Sequence, residues 1–250
     1  RCDWLQRRID LDDMQLKQMV LRLPPLLYLS VEENLAPTLD WLQRRLGLDD
    51  AGLRKMVLSL PSLLSVSVED NMAPKLEWLQ KRLDLDEAQL RKMGLTHSSL
   101  LGLSVEDNLA PTLDWLQTRL DLDDAGLRKV VLRLPALLSY SVEDNLAPKL
   151  DWLQTRLDLD DAGLRKIVLT LPPLLSLSIE DNMAPKLAYL EREIGLSRPV
   201  LREHVLTTPA ILGYSLEKRY RPRLEACRAA GVDERRVLSY ASRADEYFCE

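Results

Sequence analysis

The sequence predicts an all-α chain, a right-handed-type superhelical solenoid of about six 37-residue helix–turn–helix repeats. Three observations predict it. Trp4, Trp41, Trp78, Trp115 and Trp152 follow one another at intervals of 37, and Tyr189 takes the next step. Pro37, Pro74, Pro111, Pro148, Pro185 and Pro222 keep the same period. So do Pro24, Pro61, Pro135, Pro172 and Pro209, with Ser98 filling the third slot of that series. A fixed period of this length marks units that bury their apolar faces by stacking, so no internal domain boundary is expected. Residues 1–250 therefore read as one array: 1–11 a partial repeat, 12–230 six repeats, and 231–250 a degenerate helix that caps the stack. Repeat-like sequence begins directly at Arg1 with no leader visible, so further sequence is expected upstream.

The unit spanning 49–83 justifies each element in order. Asp49 and Asp50 start a helix, because a carboxylate accepts the unbonded N–H groups of a first turn. Leu53, Met56, Val57 and Leu60 follow at i, i+3, i+4 and i+7, the stripe of an amphipathic helix of about 11 residues. This is helix A. Pro61 ends it by disfavouring the α region for Leu60. Leu63, Leu64, Ser65 and Val66 form a short apolar connector. Ser67-Val68-Glu69-Asp70 resembles a capping box with Asp in place of Glu. Val68, Met72, Leu76, Leu79 and Leu83 then make a second stripe, helix B. Pro74 lies inside that stripe and either kinks the helix or leaves a separate turn before it. Gly47 and Gly195 fall in the linker to the next unit, where a C-cap wants them. At the far end, 233–247 read as a degraded helix A opened by Asp233 and Glu234.

The punctuation of this repeat, LxLPxLLxxSVEDNxAPKLxWL over 58–79 and again over 132–153, resembles that of the mTERF (mitochondrial transcription termination factor) family. The resemblance covers almost the whole chain. It implies a protein imported into mitochondria or chloroplasts that binds double-stranded DNA or RNA along a basic groove. It implies a role in transcription termination, ribosome assembly or intron splicing.

Composition bounds the partner. The chain has 34 basic and 39 acidic residues, a net charge of −5, and 46% apolar residues. No run of 18 apolar residues exists to span a membrane. Cysteines at 2, 227 and 249 form no CxxC pair and no even framework, which excludes a zinc ribbon and a disulfide scaffold. One Phe leaves no aromatic platform of the RNA-recognition-motif kind. Acids open helix A (Asp12/Asp13, Asp49/Asp50, Asp86/Glu87, Asp123/Asp124, Asp160/Asp161) and helix B (Glu32/Glu33, Glu69/Asp70 and their successors). An acid in a first turn is favourable by roughly 0.3–1 kcal/mol, so much of the negative charge has a local structural purpose.

The bases also form columns. Arg8, Arg45, Arg82, Arg119 and Arg156 recur near the end of helix B, each four residues after the Trp of its unit. Arg54, Arg91, Arg128 and Arg165 lie on helix A, each followed by Lys55, Lys92, Lys129 or Lys166. Lys75, Lys149, Lys186 and Arg223 follow helix B prolines, with Thr38 and Thr112 breaking that series. The two arginine columns are the candidate nucleic-acid contacts, a ladder of cations along a phosphate backbone. The competing reading pairs these bases with acids of the same or the next unit. Units this alike present the same side chains at every step, so binding to backbone and shape is expected rather than base reading.

No catalytic constellation is present. His97 and His204 stand in different repeats without Cys or acid at ligand spacing, so no metal or other cofactor is expected. Ser30, Ser67, Ser104, Ser141, Ser178 and Ser215 recur as helix B caps rather than nucleophiles. No P-loop, GxSxG or GxGxxG motif occurs. Two readings follow, both non-enzymatic and without a small-molecule substrate. One is a binder of double-stranded DNA or RNA; the other is an acidic scaffold or structural subunit of a large organellar assembly, such as a ribosome or a photosynthetic or respiratory supercomplex.

Overall fold

A computed structural model describes residues 1–240, which are helical with no strand among them. The chain divides into two compact units, Arg1–Asp114 and Trp115–Glu250. Unit 1 carries α1 (Cys2–Arg8), α2 (Asp13–Arg22), α3 (Ala36–Leu46), α4 (Asp50–Ser59), α5 (Ala73–Arg82) and α6 (Glu87–Thr96). The boundary falls inside α7 (Ala110–Arg119). Unit 2 carries α8 (Asp124–Arg133), α9 (Ala147–Leu157), α10 (Asp161–Thr170), α11 (Ala184–Ile194), α12 (Arg198–Thr207), α13 (Arg221–Ala229) and α14 (Arg236–Tyr240). Of the expected cap over 233–247, α14 covers the middle; 241–247 and Cys249 lie outside the described residues.

Helix A (α2, α4, α6, α8, α10, α12) runs ten residues in every repeat. The first acid of each expected pair is its N-cap: Asp12, Asp49, Asp86, Asp123 and Asp160 accept the N–H three residues on at 2.7–2.8 Å. Helix A stops one residue before the proline, with Leu60 at φ −138°, ψ 76°. His97, which precedes Ser98 rather than a proline, adopts nearly the same angles, φ −141°, ψ 62°. Tertiary packing therefore holds this turn even where the proline is missing. The connector is a 3₁₀ turn, Pro61–Ser65 in the second repeat, which points Leu63 and Leu64 into the core.

Helix B resolves the question posed by its internal proline. It is a π turn, Val68–Met72 in the second repeat, followed by an α-helix with Pro74 in its first turn. Met72 N–H bonds to Ser67 C=O at 3.1 Å, and Ala73 N–H to Val68 C=O. These i→i−5 bonds widen the turn ahead of Pro74, which has no N–H to give and whose ring would crowd the carbonyl four residues back. The capping expectation is corrected in one respect. Ser67 Oγ accepts Asp70 N–H at 3.0 Å as foreseen, but the Asp70 carboxylate takes the Ser67 hydroxyl instead of reaching the Ser67 N–H. The reciprocal bond comes from Asn: Asn34 Oδ1 accepts Ser30 N–H at 3.1 Å, and Asn108 Oδ1 accepts Ser104 N–H at 3.2 Å.

The linker residue is left-handed in all six places, a periodicity hidden by its composition. Gly47 and Gly195 have φ 61° and 66°; Asp10, Asp84, Asp121 and Asp158 have φ 46–52° at the same register. Asp tolerates this region better than most L-residues. The core is mostly leucine, with Met, Val and Ile between, and positions such as Leu39, Leu76, Leu113, Leu150 and Leu187 are at 0–1% exposure.

Candidate nucleic-acid interface

The arginines at the end of helix B are held in ion pairs with carboxylates of later repeats. In unit 1, Arg8 donates to Asp40 Oδ1 and Gln43 Oε1, both at 2.8 Å. Arg45 donates to Glu87 Oε2 at 2.5 Å and Gln80 Oε1 at 3.1 Å, and Arg82 to Asp114 Oδ1 at 2.8 Å. In unit 2, Arg119 donates to Asp151 Oδ1 at 3.0 Å and Gln154 Oε1 at 2.7 Å. Arg156 forks onto both oxygens of Glu191, at 2.9 and 2.5 Å. These five guanidinium side chains are 19–26% exposed, and the hydrogen bond from Arg45 holds the Glu87 carboxyl below its ordinary range.

A glutamine column passed over in the sequence completes this network. Gln6, Gln43, Gln80, Gln117 and Gln154 each donate to the second acid of the following helix A at 2.7–3.1 Å. The fifth repeat explains the pattern by exception. Ala188 replaces the Asp151-type acid, and Glu191 replaces the glutamine, so Arg156 keeps one carboxylate.

The helix A arginines reach back across a repeat. In unit 1, Arg54 Nη1 donates to Asp10 O and Oδ2 at 2.7 and 2.8 Å. Arg91 lies over Gly47, where an added Cβ would come within 3.0 Å of its Nη1. In unit 2, Arg165 donates to Leu120 O at 2.8 Å and Asp121 Oδ2 at 2.5 Å, and Arg202 repeats this on Asp158. Arg128 is half-buried on α8. The left-handed Asp thus serves as linker and anchor together, which is why its register matches that of the glycines.

The neighbouring lysines are different. Lys55 and Lys92 in unit 1, and Lys129 and Lys166 in unit 2, are exposed, and their ammonium groups make no ion pair or hydrogen bond among the described residues. The helix face they share carries Ser59, Thr96, Arg133 and Thr170 one turn on, and no acid. Arg133 at the end of α8 donates to Thr170 O at 3.3 Å, which places a cation at two helix C-termini. The five tryptophans are half-buried, and among the described residues no arginine sits over one of them.

Among the described residues no three His, Cys, Asp or Glu side chains come together to hold a metal ion. No helix is long and apolar enough to cross a membrane. The mTERF family model matches residues 2–157 and 81–248, two overlapping spans that take in nearly every repeat. The chain belongs to the mTERF family. No curated protein matches it.

The Pro-Lys of the mTERF punctuation has a structural use here. Lys75, Lys149 and Lys186 are 4%, 6% and 1% exposed. Lys75 Nζ donates to Leu101 O and Lys149 Nζ to Leu175 O, both at 2.5 Å; Lys186 Nζ donates to Leu212 O and, at 2.8 Å, to Asn182 Oδ1. Each ammonium thus caps the 3₁₀ turn of the next mTERF repeat. Burial lowers all three pKa values, that of Lys186 from 10.5 to about 8. Between those two values the unfolded chain binds the proton and the folded chain does not, so this group adds stability as pH rises from 8 to 10.5. Lys186→Thr, the residue type at 38 and 112, removes that dependence. The stability difference between wild type and this variant, read by urea unfolding, should move in favour of wild type from pH 7.5 to 10; a flat difference would contradict the burial argument.

Proposed function

We propose that this chain is a non-enzymatic nucleic-acid-binding array of organellar gene expression, in mitochondrion or chloroplast, that holds double-stranded DNA or RNA by its phosphate backbone. We further propose that Lys55, Lys92, Lys129 and Lys166 make the phosphate contacts. The arginine columns Arg8, Arg45, Arg82, Arg119 and Arg156, with Arg54, Arg91, Arg128 and Arg165, then serve to fasten repeats to one another. The observation that carries this reading is the lysine column itself. These four cations are exposed, recur at one helical position, and have no carboxylate partner among the described residues. A strongly hydrated ammonium on a flexible stem suits sequence-independent phosphate contact. The family membership supports the same reading.

A salt titration with generic duplex DNA and duplex RNA tests it. Four phosphate contacts predict a slope of log K on log salt of about −3.6. No binding at low salt would sink the proposal. In that event the acidic scaffold gains ground. Its support is a groove of about 280 Å³ on the helix B side, bordered by Asp70, Pro74, Trp78 and Glu106.

A further inference from the structure

The third repeat breaks the pattern of the array at one spot. Where four other repeats place Leu-Pro between helix A and the 3₁₀ turn (Leu23-Pro24, Leu60-Pro61, Leu134-Pro135, Leu171-Pro172) and the sixth places Thr208-Pro209, it has His97-Ser98. A cleft of about 690 Å³ opens there within unit 1, between the C-terminal halves of α4 and α6. Its apolar wall is Met56, Leu60 and Leu95; its polar groups are Lys55, Ser59, Thr96, His97, Ser98 and Ser99.

The hydrogen bonds fix what these groups offer. Thr96 Oγ1 gives its proton to Lys92 O at 2.8 Å, so at the 3.0 Å contact between them His97 Nδ1 is the donor. Burial lowers the His97 pKa, which keeps the ring neutral at pH 7 and leaves Nε2 an acceptor. Likewise Ser59 Oγ gives its proton to Met56 O at 2.8 Å, so Ser98 Oγ donates to Ser59 Oγ at 2.9 Å and keeps its own lone pairs. The cleft therefore presents two acceptors side by side in the chain, His97 Nε2 and Ser98 Oγ, with an apolar wall, the Ser99 hydroxyl at its rim and the ammonium of Lys55. Two acceptors together match an exocyclic amino group with two N–H bonds. The wall matches the face of a ring, and the ammonium matches a phosphate.

We propose that this cleft seats one unpaired, amino-bearing nucleotide (adenine, cytosine or guanine) at a strand end or bulge beside the bound duplex. The proposal rests on the nucleic-acid reading above and gives an otherwise uniform lysine column one position with base preference. Uracil and thymine present a carbonyl where the amino group would sit and are disfavoured.

The test uses His97→Leu/Ser98→Pro, which installs the residues of four other repeats. His97 already has the backbone angles of Leu60 before Pro61, so this variant folds. Duplexes that are blunt, or that carry a one-nucleotide A or U overhang, are titrated against both proteins. Wild type should bind the A overhang roughly tenfold more tightly than the U overhang. The variant should bind both equally with an unchanged salt slope. Equal binding of A and U overhangs by wild type, with blunt duplex still bound, overturns this proposal and leaves the function standing. If no duplex binds, the function reading falls, and AMP against UMP at millimolar concentration judges the cleft alone. AMP binding that the variant loses sustains it; no AMP binding overturns it.

Discussion

Replacing Lys55, Lys92, Lys129 and Lys166 together by alanine should weaken duplex binding on the order of 100- to 1,000-fold, at about 1 kcal/mol per exposed ion pair with phosphate. The salt slope should flatten by about 3.6, roughly 0.9 for each phosphate no longer neutralised. Stability should hardly change, because these side chains are exposed and touch no partner among the described residues. The arginine columns behave in the opposite way. Arg8 and Arg119 each bind a carboxylate and a glutamine of the next repeat, and Arg45 binds a glutamine of the next repeat and a carboxylate of the one after, so their truncation loosens the stacking. Filter binding beside urea unfolding separates the two classes. If the lysine variant binds as tightly as wild type, the phosphate contacts lie elsewhere.

Leu64→Ala should cost about 3–4 kcal/mol, whereas Leu27→Ala, the same position of the first repeat, should cost less than about 1. Leu64 is 1% exposed, and Leu101, Leu138, Leu175 and Leu212 at this position are equally buried; Leu27 is 44% exposed. The difference lies in coverage and not in the side chain. Removing three buried carbons forfeits their transfer energy and leaves a cavity that close-packed neighbours only partly fill. Tryptophan fluorescence during urea unfolding reports both values, since Trp41 and Trp78 are half-buried in the same unit. Equal effects at the two positions would contradict this explanation of how the repeats bury their leucines.

The repeat, its helices and their starts and stops are legible in the sequence because each rests on short-range chemistry. Asp49 caps a helix three residues away, and Pro61 acts on the residue before it. The π turn ahead of Pro74 is half legible. The sequence shows that the ladder must break there, but the choice between a kink and a wider turn depends on packing. The left-handed Asp10, Asp84, Asp121 and Asp158 escape notice because Asp is also a common cap and surface residue; only alignment with Gly47 and Gly195 at one register reveals them. The site is the least legible part. Arg45 and Lys55 look alike as members of basic columns. What separates them is a carboxylate 42 residues away, Glu87, which only stacking brings to Arg45. Lys75 and Lys186 carry the reverse lesson, since a base next to a proline near the start of a helix is buried against a carbonyl 26 residues on.

Acetylation footprinting of the lysines, read by mass spectrometry with and without duplex, tests the division of cations most directly. Lys55, Lys92, Lys129 and Lys166 should react in the free protein and be protected in the complex. Lys75, Lys149 and Lys186 should resist acetylation in both. Unchanged reactivity of the four exposed lysines in a saturated complex would contradict the assignment of phosphate contacts to helix A.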